Sequence, residues 1–78
     1  MKAARDFAVD AIDAGWDVLI RHGKDTGDSP FVSVEAVKPD RHLRLTWHTR
    51  DTGTYRLFSC ALGRRDLSLK AAREELTR

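Results

Sequence analysis

The period of the hydrophobic pattern changes at Gly15, and this change constrains the fold more than any other feature of the chain. Before Gly15, apolar residues recur at steps of three and four, which places them on one face of a helix. These residues are Ala3, Ala4, Phe7, Ala8, Ala11 and Ile12. After Gly15, apolar and polar residues alternate, as in half-buried strands. Gly15 fits the left-handed position after a helix, because it has no Cβ. We therefore predict a helix over 3–14, followed by a sheet.

The alternating part of the chain divides into four predicted strands, separated by turn-forming residues. The strands are Trp16–Arg21, Phe31–Lys38, Leu43–Arg50 and Tyr55–Leu62. The segment 22–29 is a predicted loop and Pro39-Asp40 a predicted turn. Asp51-Thr52-Gly53 is typical of a three-residue hairpin loop with glycine in the left-handed position.

The last segment is again helical. Ser68 is the predicted N-cap, and Leu69, Ala72 and Leu76 form the inward stripe. The order α-β-β-β-β-α predicts one small α+β domain over residues 1–78. Its simplest packing is an antiparallel four-stranded meander with both helices on one face.

Composition narrows the class of protein further. With 78 residues and 41% hydrophobic, the chain can form one thin layer of core. No apolar run approaches the roughly 20 residues of a membrane span, and no signal-peptide core is present. The single Cys excludes an internal disulfide framework and a Cys-rich zinc site. We expect no membrane association and a location in the reducing cytoplasm.

Hairpin register predicts which strand residues share a face. The 51–53 loop places His48 opposite Arg56, and a four-residue loop over 39–42 places Val34 beside Trp47. The helix-facing side then carries Leu43, Leu45, Trp47, Tyr55 and Leu57. The opposite, open side carries Phe31, Ser33, Glu35, Val37, Arg44, Thr46, His48, Arg50, Arg56, Phe58 and Cys60.

This predicted open face combines arginines with aromatic rings. Arginine offers a charged planar fork, and aromatic rings offer stacking platforms for bases. Charge is also concentrated here: although the net charge is +2, the segment 41–65 holds six Arg against one Asp, or +5. Basic residues near the last helix extend the surface toward a helix N-terminus, which favours phosphate. The predicted nucleic-acid-binding residues are Arg44, His48, Arg50, Arg56, Phe31, Phe58, Arg64, Arg65 and Lys70. The other interpretation is that the arginines are only solvated and the Phe side chains pack under a loop or a partner.

No arrangement of residues predicts catalysis. Cys60 and His48 are expected about 13 Å apart, too far for a nucleophile and its base. His42 and His48 lie about 20 Å apart along one strand and cannot share a metal ion. A loop cluster of His22, Asp25 and Asp28 is more typical of turn hydrogen bonds. We predict no enzyme activity, no cofactor and no metal.

Two families share part of this organisation. The order of elements resembles double-stranded RNA-binding domains, which run α-β-β-β-α and carry basic residues at the start of the last helix; Arg64, Arg65, Lys70 and Arg73 are the counterpart here. This chain has one strand more and lacks their Gly-Pro-His loop. Residues 31–78 also resemble the three-strand-plus-helix arm-binding domains of tyrosine integrases. The small size and the Arg, Asp and Ala content are similar to those of small proteins from high-GC bacteria and their phages.

Two functional hypotheses follow. In the first, the chain is a non-enzymatic module that binds DNA or RNA through the open face, and the resemblances imply the same. In the second, it is a protein-interaction module, either a homodimer or a regulator or inhibitor of a host factor. The second hypothesis rests on Phe58, Cys60 and Leu62, predicted on the exposed side of an apolar edge strand.

Overall fold

The protein folds into one antiparallel sheet with a helix before it and a helix after it. The computed structural model describes residues 1–49 and 53–78. The elements are α1 (Lys2–Asp13), β1 (Asp17–Lys24), β2 (Pro30–Lys38), β3 (Arg41–His48), β4 (Arg56–Leu62), β5 (Arg65–Asp66) and α2 (Leu69–Leu76). Their order in the sheet is β1-β2-β3-β4-β5. The predicted α+β class is confirmed, and a fifth strand of two residues adds to the predicted four.

Both helices pack on the same face of the sheet and enclose the core. The core residues are Ala4, Phe7, Ala8, Ala11, Trp16, Val32, Val34, Ala36, Leu43, Leu45, Trp47, Cys60, Ala72 and Leu76. Arg73 of α2 reaches Asp10 of α1 at 2.9 Å and joins the helices at their surface. Ala3 and Ile12, predicted to face inward, are exposed. They lie at the two flanks of α1, because its four buried residues already fill the stripe that faces the sheet.

The local signals at the helix ends are confirmed. Gly15 has a φ of +88° directly after the helix. The side chain of Ser68 accepts a hydrogen bond from the Ala71 amide at 3.1 Å, as an N-cap does. Gly53 has the expected positive φ of +70°. Asp51 and Thr52, the other two residues of that predicted loop, lie outside the described residues, as does Arg50.

The hairpin between β2 and β3 is tighter than predicted. Pro39 and Asp40 alone form the turn, so Lys38 pairs with Arg41. Val34 therefore pairs with Leu45 and not with Trp47, which corrects the predicted register by two residues. Because side chains alternate with a period of two, this shift leaves every residue on its predicted face. The first strand also continues to Lys24, through part of the predicted loop.

A β-bulge in β4 changes the face of the residues that follow it. Trp47 pairs with Leu57, but its neighbour Thr46 pairs with Ser59, so Phe58 is the extra residue. Beyond the bulge, Cys60 pairs with Leu45 and is buried in the core under the helices. The prediction that Cys60 lies on the open face is therefore wrong, because one extra residue reverses the alternation.

The bulge and β5 also correct the predicted edge of the sheet. Leu62 pairs with Leu43 on the helix side, and β5 pairs with the last two residues of β4. The apolar edge predicted from Phe58, Cys60 and Leu62 is thus not formed. Within residues 1–49 and 53–78, no helix is both long and apolar enough to cross a bilayer.

Candidate functional site

The open face carries a row of aromatic and basic side chains at one end of the sheet. Phe31 of β2 pairs with His48 of β3, which pairs with Arg56 of β4. The ring centroids of Phe31 and His48 lie 6.1 Å apart in a stacked arrangement, and those of His48 and Phe58 lie 5.3 Å apart. The structure therefore brings together four of the predicted site residues, Phe31, His48, Arg56 and Phe58. We call these four the aromatic row.

Phe58 is the most accessible ring of the aromatic row. The residue is 55% exposed, whereas Phe31 is partly buried. The bulge accounts for this position, because bulges redirect a side chain and break the regular pairing at that point. The ring offers a broad apolar surface to solvent on a face where a merely solvated strand would carry a polar residue.

Gly23 of β1 makes room for Phe31. It pairs with Phe31 across the strands, and a Cβ built on Gly23 would lie 2.7 Å from Cζ of the Phe31 ring. The ring thus rests against the Gly23 backbone while it stacks on His48. Sequence reasoning did not assign Gly23 to the site. The available signal was a glycine inside an alternating segment, which often marks close approach by a neighbour.

His48 is a largely buried member of the aromatic row, and it contacts both Phe rings. Its side chain is only 10% exposed, and its Nε2 lies 3.4 Å from Oδ2 of Asp25. Its Nδ1 is buried without a hydrogen-bond partner among the described residues. Asp25 is held in turn by the amides of Gly27 and Ser29, which donate to its Oδ1. His48, predicted to contact nucleic acid, thus lies largely buried between the two Phe rings.

Polar residues occupy the centre of the open face. Ser33 and Thr46 pair across β2 and β3, and their hydroxyl oxygens lie 3.4 Å apart. On the next row Arg44 pairs with Glu35, with 4.0 Å between Nε and Oε1. Arg44 remains exposed, so its ion pair with Glu35 is weak and its guanidinium is accessible to solvent.

The remaining predicted site residues lie elsewhere. Arg64 and Arg65 belong to the turn and short strand after β4, at the end of the sheet opposite the aromatic row. Lys70 is exposed in the first turn of α2, in the helix layer. The structure therefore separates these three from the open face. Arg50 lies outside the described residues.

Cys60 is a structural thiol. Its sulfur lies 3.8 Å from the Ser68 carbonyl, and burial, with a smaller effect of Asp66, raises the pKa of the thiol above its ordinary value. A raised pKa keeps the thiol protonated and unreactive at neutral pH. Among the described residues, no three His, Cys, Asp or Glu side chains are grouped closely enough to hold a metal ion.

No protein-family model, curated protein or solved structure matches this chain.

Proposed function

We propose that this protein is a non-enzymatic module that binds a short stretch of single-stranded nucleic acid on its open face. The observation that supports this proposal is the aromatic row, in which an exposed Phe ring and an arginine share one end of an uncovered sheet. Sheets that bind RNA stack two or three unpaired bases on exposed aromatic side chains. Single strands fit this chemistry better than duplexes, whose bases already stack on each other.

Each residue of the face has a role in this proposal. Phe58 stacks on one base and Phe31 on a neighbouring one, while His48 and Gly23 hold the Phe31 ring in place. Arg56 and Arg44 contact the phosphates on either side. The partly buried Thr46 lies between these arginines and offers its hydroxyl to sugar or base edges, while the buried Ser33 hydroxyl lies 3.4 Å from it. We expect cytoplasmic action, in keeping with the single reduced Cys.

The electrostatics of the face favour weak, short-range binding. Glu35 and Asp17 share the open face with the arginines, so the face is not uniformly basic. Two phosphate contacts give only a shallow dependence of affinity on salt. We therefore expect stacking to supply most of the affinity, with the arginines setting the position of the strand.

The test is fluorescence anisotropy with labelled oligonucleotides of about ten nucleotides. Single-stranded and duplex forms of DNA and RNA are titrated at low salt and at roughly 200 mM salt. The expected result is binding of single strands in preference to duplexes, weakened by Phe58→Ala. The matched control is Lys2→Ala with Arg5→Ala, which removes two exposed charges from α1, on the other layer, and leaves binding nearly unchanged.

Two outcomes contradict the proposal. Equal binding by the Phe58 variant and the wild type would show that the ring does not contact bases. No binding to any oligonucleotide at low salt would favour the second hypothesis, a protein partner that covers Phe58. Capture of the partner with wild-type protein, and its loss with Phe58→Ala, would then support that alternative.

A further inference from the structure

We infer that β1 pairs with β1 of a second copy of this chain, which joins two five-stranded sheets into one. This inference does not depend on the proposed function, since it concerns an edge of the sheet and not its open face. β1 pairs with β2 on one side, and no described strand pairs with its other side. Its outward backbone groups are therefore free to form a ladder with another strand.

β1 lacks three of the features by which proteins protect edge strands from pairing, although it carries charged side chains, which are a fourth. Protected edges are commonly very short, bulged or interrupted by proline. β1 has eight residues without proline, and its pairing with β2 runs from Asp17 to Lys24 without a register shift. The opposite edge, β5, has only two residues. The β1 edge therefore offers a long stretch of backbone for pairing, whereas the β5 edge offers a very short one.

Exposed apolar side chains concentrate beside this open edge. The described residues include eight large hydrophobic side chains that are exposed, and five of these belong to α1 or β1. They are Met1, Val9, Ile12, Leu19 and Ile20, counting Met1 with the helix that it precedes. Isolated exposed hydrophobics are ordinary, but several beside one edge indicate a contact surface, here with Leu19 on the open face and the other four on the helix side.

Met1 lies on the side of α1 that faces β1, and Ile12, seven residues after Arg5, shares that flank at helical spacing. α2 contacts the other side of α1, where Arg73 reaches Asp10. On the β1 side, Met1, Ile20 and His22 line one shallow cavity of about 200 Å³ between α1 and the sheet. A second copy paired at β1 would place its own α1 next to this one and cover Ile12.

The sequence of β1 complements itself in one antiparallel register. If Leu19 lies opposite Leu19 of the second copy, Asp17 lies opposite Arg21 and Arg21 opposite Asp17. In the same register, Val18 of each copy lies opposite Ile20 of the other copy, on the helix side of the sheet. The two-fold symmetry of a homodimer requires such self-complementarity, and opposite charges across a strand pair stabilise it. This charge pattern identifies the occupant of the edge as a second copy.

The expected dimer has a defined arrangement. A two-fold axis through the Leu19 pair leaves both open faces on the same side of a ten-stranded sheet and both helix layers on the other. The aromatic rows stay uncovered, because they lie on the open face and not at the edge. Dimerisation therefore leaves each candidate nucleic-acid site accessible.

The test uses charge reversal and sedimentation equilibrium over a range of protein concentrations. Asp17→Arg and Arg21→Asp each place like charges opposite one another, and each should weaken the dimer by about tenfold. The double variant restores opposite charges in the predicted register and should regain most of the wild-type affinity. The matched control, Glu74→Arg on the exposed face of α2, changes charge equally and should leave the dimer unchanged. Circular dichroism confirms that each variant is folded.

Three outcomes overturn the inference. One is a wild-type protein that remains monomeric at millimolar concentration. Another is a dimer that neither single reversal weakens, because its interface then lies elsewhere. The third is a double variant as weak as the single ones, because Asp17 and Arg21 then do not face each other. Each outcome is independent of oligonucleotide binding, so it leaves the proposed function to its own test.

Discussion

The indole Nε1 of Trp16 donates a hydrogen bond to the backbone carbonyl of Leu76, 3.0 Å away and buried. This contact joins the residue before β1 to the last turn of α2, where carbonyl groups lack partners within the helix. Arg41 supports the same turn, since its guanidinium donates to the Glu75 carbonyl at 3.3 Å and stacks over the Trp16 ring. Trp16 thus links the start of the sheet to the end of the chain.

Replacing Trp16 by Phe should destabilise the fold by about 1–3 kcal/mol, because the Leu76 carbonyl stays buried without its donor. Urea denaturation measures this loss, with Trp47 as the remaining fluorescent reporter of unfolding. Arg41→Lys should weaken the same helix end by a smaller amount, since one charge remains. A Trp16→Phe variant as stable as the wild type would show that water replaces the indole.

Gly23→Ala tests the support of the aromatic row. The new methyl group would lie within 3 Å of the Phe31 ring, so the ring must move away from its stacked position on His48. Because the displaced atoms are the far end of a side chain, we expect a modest loss of about 1 kcal/mol. Thermal unfolding measures the loss, and the NMR shifts of the His48 ring report the displacement. Gly27→Ala in the following loop, where a Cβ meets only Asp25 at 3.5 Å, is the control.

Sequence patterns predicted the faces of the sheet better than its pairing. Val34 was assigned the wrong partner, yet it is buried as predicted, because an error of two residues preserves alternation. Cys60 shows the opposite case. Its face depends on one extra residue at Phe58, and the pattern Arg56–Leu62 contains no local signal for a bulge.

The candidate site was predicted in part, for a similar reason. His48 and Arg56 pair as the 51–53 loop predicted. Phe31 lies on the predicted face, but its pairing with His48 was not predicted, because the β2–β3 register differs from the prediction by two residues. Arg64 and Arg65 were grouped with them on charge alone. A count of charges shows only that these arginines are close in sequence. The length of β4 is needed to see that Arg56 lies at one end of this strand and that Arg64 and Arg65 follow its other end. The contact of Asp25 with His48 joins a loop to a strand, and such contacts have no periodic signal.

The buried thiol of Cys60 should make the stability of the fold depend on pH in the alkaline range. Burial, and to a smaller extent Asp66, raises the folded-state pKa of this thiol above its unfolded value, so the unfolded chain releases the proton first as pH rises. The stabilisation is therefore complete below the unfolded-state pKa and is lost as pH increases through the folded-state pKa. Urea denaturation of wild type and Cys60→Ala at several alkaline pH values should show their stabilities converging as pH rises. Parallel pH profiles would mean that the thiol is not shielded from solvent.

Phe58→Ala separates a binding role from a structural one. More than half of Phe58 is exposed, so removal of its ring should change the free energy of unfolding by less than about 1 kcal/mol. Loss of a stacked base should cost about 1–3 kcal/mol of binding, or roughly five- to 150-fold in affinity. Anisotropy and urea denaturation on the same preparation give both quantities. A variant that loses stability and affinity to the same extent would assign Phe58 to the fold.

Arg44→Ala with Arg56→Ala should flatten the salt dependence of binding as well as weaken it. Each phosphate contact to a single strand contributes about 0.7 to the slope of log affinity against log salt concentration, so losing two should lower the slope by up to about 1.4. Arg64→Ala with Arg65→Ala removes the same charge from the far end of β4 and should lower it less. Equal effects of the two double variants would indicate that the bound nucleic acid runs along the whole sheet, from the aromatic row to β5. A larger effect of the Arg64 and Arg65 pair would move the phosphate contacts away from the open face.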